Sequence, residues 1–293
     1  MKKFFKNLIY LVITIAILCL GLDQVYTYIH KNTAPRNIPD YIMQLTPKDS
    51  LDYVILGSSR ALHGLDPLLI KKQTQKKGFN FGVPGSSFFE IKLTVKQLLK
   101  KNITKNIYIQ VDYIWNEVYN SEVPTIGWLT YINDREIYND FKEIDSKNEY
   151  ILYNKIPFYR YIKFDSKLGF RELLMSLFNR HTSEIENSGY APLFGKLKNS
   201  KSTFKYTLNQ NINPHVAEII ALCKKNNINV FFFTAPIYNF QGNNTVLTKN
   251  LTNYTDFSNS VSDFKLYQDN THLNINGSEL FTELFIKTYF NHN

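Results

Sequence analysis

Residues 228–234, reading Ile-Asn-Val-Phe-Phe-Phe-Thr, constrain the fold of this chain more than any other stretch. The run is almost continuously apolar and of strand length, and Ala235-Pro236 ends it. A strand without a polar face must be covered on both sides, which is the situation in a parallel sheet flanked by helices. The neighbouring segments agree. Residues 214–227 place apolar side chains at 216, 219, 220 and 223, with Pro214 suited to a first helical turn. Residues 275–289 read as a closing helix. Upstream, 53–56, 78–82 and 106–111 read as short strands, separated by helical patterns over 67–77 and 88–101. Residues 238–258 read as an Asn/Thr-rich loop, and 263–267 as a short last strand. Strands alternating with helices predict an α/β fold, three layers α/β/α around a parallel sheet.

The N-terminus is a separate matter. Met1-Lys-Lys-Phe-Phe-Lys6 is a basic leader, and 8–22 is an uncharged, mostly apolar run extended upstream by Phe4 and Phe5. That is near the lower limit for a membrane-spanning helix. Tyr26 and Tyr28 follow where an aromatic belt would sit, and the lysines favour an N-in orientation with the body outside the cytoplasm. The expectation is a retained anchor over 1–30. A cleaved signal peptide and a buried core helix are the alternatives, although no A-x-A cleavage site follows. Residues 31–50, with Pro35, Pro39 and Pro47, read as a tether.

Of the net charge of +9, +4 falls within residues 1–36, so the body is only mildly basic. No Lys/Arg patch is interleaved with aromatics, and nucleic acid is not an expected partner. The two cysteines, Cys19 and Cys223, lie in segments not expected to meet. No Cys/His cluster has metal-ligand spacing, so neither metal nor cofactor is expected. Residues 113–210 are rich in Tyr, Asn and Lys, with local helical stretches, and read as an insertion in a domain spanning 51–293.

Two stretches carry chemistry. The first is Gly57-Ser58-Ser59-Arg60, directly after the 53–56 strand. A strand that turns sharply into a helix exposes its turn residue at the carboxyl end of the sheet and points helix N–H groups at it. A serine there can be a nucleophile, or part of an ordinary loop. The second is Asp269-Asn-Thr-His272, just before the last helix. A carboxylate three residues from an imidazole can accept its Nδ1–H, leaving Nε2 to take a proton from a serine. Arg60 can contact an anionic substrate or cap local carbonyls. His63, four residues after Ser59, suits a structural or substrate-side role. Trp115 and Trp128 can be sugar-stacking platforms or buried aromatics. Ser86 and Ser87 are suited to capping the next helix.

In order, Gly57-Ser58-Ser59, Asn80-Phe-Gly-Val-Pro-Gly85 and Asp269-x-x-His272-Leu-Asn-x-x-Gly277 resemble the SGNH/GDSL hydrolase superfamily. The resemblance covers 51–112 and 213–290. It implies Ser59 as nucleophile, with His272 and Asp269 as base and acid. It implies an oxyanion hole made of the Ser59 and Gly85 N–H groups. The family adds an Asn side chain after the third strand. Here that place reads Val111-Asp-Tyr-Ile-Trp-Asn116, where Asn116 is the candidate donor and Asp112 or Tyr113 can take another role. Arg60 and Tyr113 are the candidate substrate contacts.

The anchor and the Gly-Ser-Ser-Arg form of the first block are similar to envelope-modifying members, the D-alanyl-teichoic-acid transfer and polysaccharide O-acetylation proteins. That resemblance implies a membrane-anchored extracytoplasmic esterase or O-acyltransferase. Its partners would be a cell-surface polysaccharide or acylated carrier, and a multipass acyl-export protein. A non-catalytic scaffold or glycan-binding module in a polymer assembly complex, and a secreted esterase or lipase, are the competing readings.

Overall fold

The computed structural model describes residues 1–117, 122–145, 148–198 and 201–290. The chain divides into two compact units. One comprises Met1–Gln44 with Thr125–Thr182, the other Leu45–Pro124 with Ser183–Asn293.

The second unit is built on a five-stranded sheet. Its strands are β1 (Tyr53–Leu56), β2 (Gly78–Asn80), β3 (Asn106–Gln110), β4 (Asn229–Thr234) and β5 (Tyr254–Asp256). All neighbours are parallel, in the order β2-β1-β3-β4-β5. Val54 pairs with both Phe79 and Ile107, and Ile109 pairs with Phe232, so apolar side chains stack across the sheet centre. Tyr53, Ile55, Tyr108 and Phe233 share one core cluster with Phe281, Phe285 and Ile286 of the closing helix, Ile275–Tyr289. Each fully buried aromatic of this kind contributes about 1.5–3 kcal/mol over an exposed one.

The sequence explains where the helices start. Phe88–Lys100 begins at a capping box, in which the Glu90 carboxylate accepts hydrogen bonds from the Ser87 N–H at 2.8 Å and its hydroxyl at 2.7 Å. Pro214–Lys225 opens on Asn213, whose side chain accepts from the His215 N–H, with Pro214 in the first turn. These two helices pack on each other, and the closing helix packs on Ser59–Gly64 and Pro67–Thr74.

Two expectations for this unit change. The fifth strand is Tyr254–Asp256, inside the stretch read as a loop, while the anticipated strand at 263–267 is a single 3-10 turn, Phe264–Leu266. Three residues at a sheet edge are too few to show an apolar period. Asp263 instead caps the Lys265 N–H at 2.9 Å, which starts a turn.

The first unit is helical. Lys2–Asn32 forms one unbroken helix, and its apolar first two-thirds are exposed. It is long and apolar enough to cross a membrane. The region read as a tether, 31–50, contains regular structure. The helix runs to Asn32, and a second helix, Ile38–Gln44, buries Pro39, Asp40 and Ile42. Two of the three prolines mark helix starts, positions that lack a partner for an N–H in any case. Pro39 sits in the first turn of the second helix, and Pro47 starts the 3-10 turn Pro47–Asp49 of the other unit. The expected insertion at 113–210 is also divided. Residues 125–182 join the N-terminal helix, whereas 113–117, 183–198 and 201–210 belong with the sheet. Trp128, Tyr131, Phe141 and Tyr161 are buried in the helical unit.

Candidate functional site

The order of the strands reverses between β1 and β3, and in parallel sheets a crevice opens outside the carboxyl ends at that point. Gly57 makes the turn there. It has φ +156°, and a Cβ on it would meet the Gln110 side chain at 2.7 Å and the Ala61 side chain at 2.9 Å, so only glycine fits. Ser58 caps the Ser59–Gly64 helix, accepting from the Arg60 N–H, and Ser59 becomes its first, half-buried residue.

Ser59 Oγ lies 2.7 Å from His272 Nε2. His272 Nδ1 lies 2.9 Å from Asp269 Oδ2 and 3.0 Å from Oδ1. Because Nδ1 faces a carboxylate it carries the proton, which leaves Nε2 as the acceptor for the Ser59 hydroxyl. Asp269 is itself held in place. Its Oδ1 also accepts from the Thr271 N–H at 2.8 Å and the His272 N–H at 3.0 Å. Burial pushes the Asp269 carboxyl up, but hydrogen bonds from His272 and Thr271 outweigh it and hold the group well below the usual carboxylate range. The Asp269 side chain is 53% exposed and that of His272 is 21% exposed, so the site opens to solvent.

A second imidazole borders the first. The His63 ring meets the His272 ring edge-on, with centroids 5.8 Å apart. His63 Nδ1 lies 2.6 Å from the Ala191 carbonyl oxygen and therefore carries the proton. Burial pushes the His63 imidazole below its ordinary value, and a positive charge on His272 would act in the same direction.

Gly82 packs against the turn. A Cβ there would meet the Leu62 N at 2.7 Å, and the next residue, Val83, donates its N–H to the Gly57 carbonyl at 3.0 Å. Asn80 donates from Nδ2 to the Ala61 and Leu65 carbonyls, which ties β2 to the Ser59–Gly64 helix. Gly85 follows in an exposed turn at φ +76°. Among the described residues, the backbone N–H groups of Ser59 and Gly85 donate to no hydrogen-bond partner.

Arg60 departs from the anticipated anion contact. It is 2% exposed and its guanidinium is fully engaged. Nη1 donates to Asp112 Oδ2, Nη2 to the Ala235 carbonyl at 2.5 Å and the Pro236 carbonyl at 3.1 Å, and Nε to the Thr271 carbonyl at 3.1 Å. One side chain thus joins the ends of β1, β3 and β4 to the loop that carries Asp269 and His272. The network runs on behind it. Gln110 Nε2 donates to Asp112 Oδ2 at 2.6 Å, and Gln110 Oε1 accepts from the Ser58 N–H and hydroxyl. Sequence reasoning missed Gln110. The signal was present, since a glutamine inside the apolar run Asn-Ile-Tyr-Ile-Gln-Val must find partners once buried.

Asn116 is also occupied elsewhere. Its Nδ2 donates to the Thr207 carbonyl at 2.7 Å and its Oδ1 accepts from the Asn209 N–H at 2.8 Å. Its amide holds two chain segments together, so the expected third oxyanion donor is committed to another role. Tyr113 is half-buried and packs against Phe204 and Tyr206, with centroids 5.8 and 6.0 Å away. Trp115 and Trp128 are both buried, which removes them as sugar platforms. Ser87 is the helix cap, while the Ser86 N–H closes a turn onto the Val83 carbonyl.

No protein-family model matches this chain. No curated protein matches it either. Among solved structures, a gut microbial diltiazem-metabolizing enzyme is similar over 83% of this chain, at 13% identity and a TM-score of 0.31. The chain spans 48% of the length of that enzyme.

Proposed function

We propose that this chain is a membrane-anchored, extracytoplasmic serine acyl-transfer protein with a three-layer α/β/α domain of the SGNH type. The observation that supports this most is the hydrogen-bond chain from Ser59 Oγ through His272 to the Asp269 carboxylate, open to solvent at the carboxyl end of a parallel sheet.

In this reading His272 Nε2 takes the Ser59 proton as Oγ bonds to the carbonyl carbon of an ester or thioester. The carbonyl π electrons move to oxygen, and the Ser59 and Gly85 N–H groups stabilise the oxyanion. The oxyanion collapses, the bond to the leaving group breaks, and the protonated His272 delivers its proton to the departing atom. An acyl-Ser59 ester remains. Water or an acceptor hydroxyl then gives its proton to His272 and attacks that ester; the second oxyanion collapses, the bond to Oγ breaks, and His272 returns the proton to Ser59 Oγ. Asp269 keeps the imidazole in the productive tautomer throughout. The acceptor is proposed to be a hydroxyl of a cell-envelope polysaccharide, with Tyr113 as a substrate contact, and the acyl group to arrive on a carrier or through a multipass export protein. The long apolar N-terminal helix supports the anchored location, with the lysine leader inside.

The test is labelling of the full-length protein in detergent with a fluorophosphonate probe. The wild-type chain is expected to be modified at Ser59, and Ser59→Ala and His272→Ala are expected to lose the label while remaining folded. An unlabelled Ser59 in folded wild-type protein would overturn the enzymatic reading in favour of a scaffold or glycan-binding module.

A further inference from the structure

Most of the first helix is apolar and uncovered, but its acidic residue Asp23 is buried, at 4% exposed. In helical form, residues 4–22 span about 28 Å, close to the thickness of a bilayer's hydrocarbon core. Asp23 is therefore the first residue beyond the apolar stretch. It is met there by one segment of the helical unit. Arg160 Nη1 lies 2.8 Å from Asp23 Oδ2 and Nη2 3.0 Å from Oδ1, and the Phe158 N–H donates to Oδ2 at 2.7 Å. One turn on, Tyr26 packs against the rings of Phe158 and Tyr161 at 4.9 and 5.2 Å, and Thr27 shares a hydrogen bond with the Tyr161 hydroxyl at 2.7 Å.

The contacts continue as a ladder along the helix. His30 meets the Leu168 carbonyl, Thr33 meets Ser176, and Arg36 meets Glu172 and the Arg180 carbonyl. At a rise of 1.5 Å per residue, Thr33 at the end of the helix lies about 15 Å beyond Asp23 along the axis. Among the segments of this ladder, the one around Phe158–Tyr161 is thus nearest the apolar run.

That same segment carries apolar side chains on its outside. Ile162 is 61% exposed and Ile156 is 45% exposed, and the exposed Lys155 and Lys163 lie next to them in sequence. Isoleucines beside lysines and aromatic rings, one turn outside a spanning run, have the composition of an interfacial segment. Phe178 is more exposed still, at 71%, but belongs to the far end of the ladder. Exposure alone therefore does not distinguish the two places, whereas distance from the apolar run does.

We propose that residues 155–163 form an interfacial contact with the phospholipid bilayer. Ile156 and Ile162 would enter the headgroup–acyl boundary and Lys155 would meet lipid phosphates, while Lys163 stays with the Tyr153 hydroxyl and the Glu149 carboxylate. The Asp23–Arg160 joint couples this contact rigidly to the anchor, and so sets the depth and the tilt at which the helical unit leaves the membrane. The inference rests on the anchored reading of the first helix.

The experiment uses full-length protein with Cys19 and Cys223 replaced by alanine, reconstituted into phosphatidylcholine–phosphatidylglycerol vesicles. An environment-sensitive fluorophore is placed in turn at Ile13→Cys, at the middle of the apolar run, Ile162→Cys and Phe178→Cys. All three sites are exposed, so labelling leaves the packing undisturbed. Lipids spin-labelled at shallow and deep acyl positions act as quenchers. The label at 13 is expected to be quenched most by the deep lipid. The label at 162 is expected to be quenched by the shallow lipid, at about 5–10 Å depth, with a blue-shifted emission. The label at 178 is expected to behave as in water. A label at 162 as unquenched as that at 178, while 13 is quenched, overturns the interfacial contact and leaves the anchor intact. An unquenched label at 13 overturns the anchored reading and this inference with it.

Discussion

Ser59 Oγ and His272 Nε2 stand 2.7 Å apart although 213 positions separate them in the chain. The contact joins the turn after β1 to the loop before the closing helix. Both ends are fixed by packing that does not involve the pair itself: Gly57 wedged against Gln110, and Thr271 held by Arg60. That preorganisation is what a serine nucleophile requires, and it leads to the first prediction.

Ser59→Ala or His272→Ala should lower turnover of an activated ester such as a p-nitrophenyl acetate by about a thousandfold or more, since such residues act as a unit. Thermal unfolding of the two variants should stay close to wild type, because Ser59 is half-buried and His272 partly exposed. Initial rates over a range of enzyme concentrations are the check. Unchanged rates in both variants would mean that the turnover arises elsewhere.

Asp269→Asn should preserve the loop's shape but present an amide to His272 Nδ1. The tautomer is then no longer enforced, and the rate should fall by about 10²–10⁴-fold. The wild-type carboxyl is held below its usual range, so its contribution to stability is present above the ordinary Asp value near 3.8 and is lost as pH falls below it. Denaturation of wild type and variant should therefore converge in acid. Wild type should show no acid-side loss relative to Asp269→Asn if this carboxylate is unpaired in solution.

Arg60 and Asp112 form an ion pair with both side chains 0% exposed. Removing either partner alone leaves a buried charge without its counterion, at a cost of about 3–5 kcal/mol. Arg60→Lys should recover only part of this, because a lysine cannot serve Asp112 and the Ala235, Pro236 and Thr271 carbonyls together. Urea midpoints give the stabilities. In Arg60→Lys the fluorophosphonate labelling rate should fall too, through the released Thr271 carbonyl, and a labelling rate equal to wild type would show that the loop holds itself.

Glu90 supplies a pH dependence of the opposite sign. Burial pushes its carboxyl up to about 7, against the hydrogen bonds from Ser87. An acid whose folded value is raised favours the protonated folded state. The stabilisation is full below the ordinary value of 4.5 and is lost as pH rises through about 7. Between about pH 5 and pH 8 the wild type should lose on the order of 2–3 kcal/mol relative to Glu90→Gln. Parallel urea titrations at the two pH values measure the difference, and parallel curves for the two proteins would rule out a raised carboxyl.

Much of this was readable before any coordinates. The helix at Ile275–Tyr289 falls on the residues its apolar spacing predicts, and β1, β3 and β4 differ from expectation by a residue at most. Ser59, His272 and Asp269 could be singled out because their residue types and their places at strand and helix ends already state a chemistry. The helical unit was less legible. Three prolines suggested a tether, and within it Ile38–Gln44 is a helix with a buried face, because a proline in a first turn costs a helix little.

Amino-acid order alone determined the elements whose signal lies within a turn or two of chain: the apolar run of β4, the cap at Ser87, Pro214 in a first turn, the apolar N-terminal helix. Tertiary structure decided what each polar side chain would be used for. Arg60 is a bridge because Asp112, Ala235 and Thr271 arrive around it from 52, 175 and 211 positions away. Asn116 is occupied because Thr207 and Asn209 reach it first. A buried polar group must be satisfied by whatever the fold brings within reach. Local periodicity cannot encode that, because the partners lie far apart in the chain.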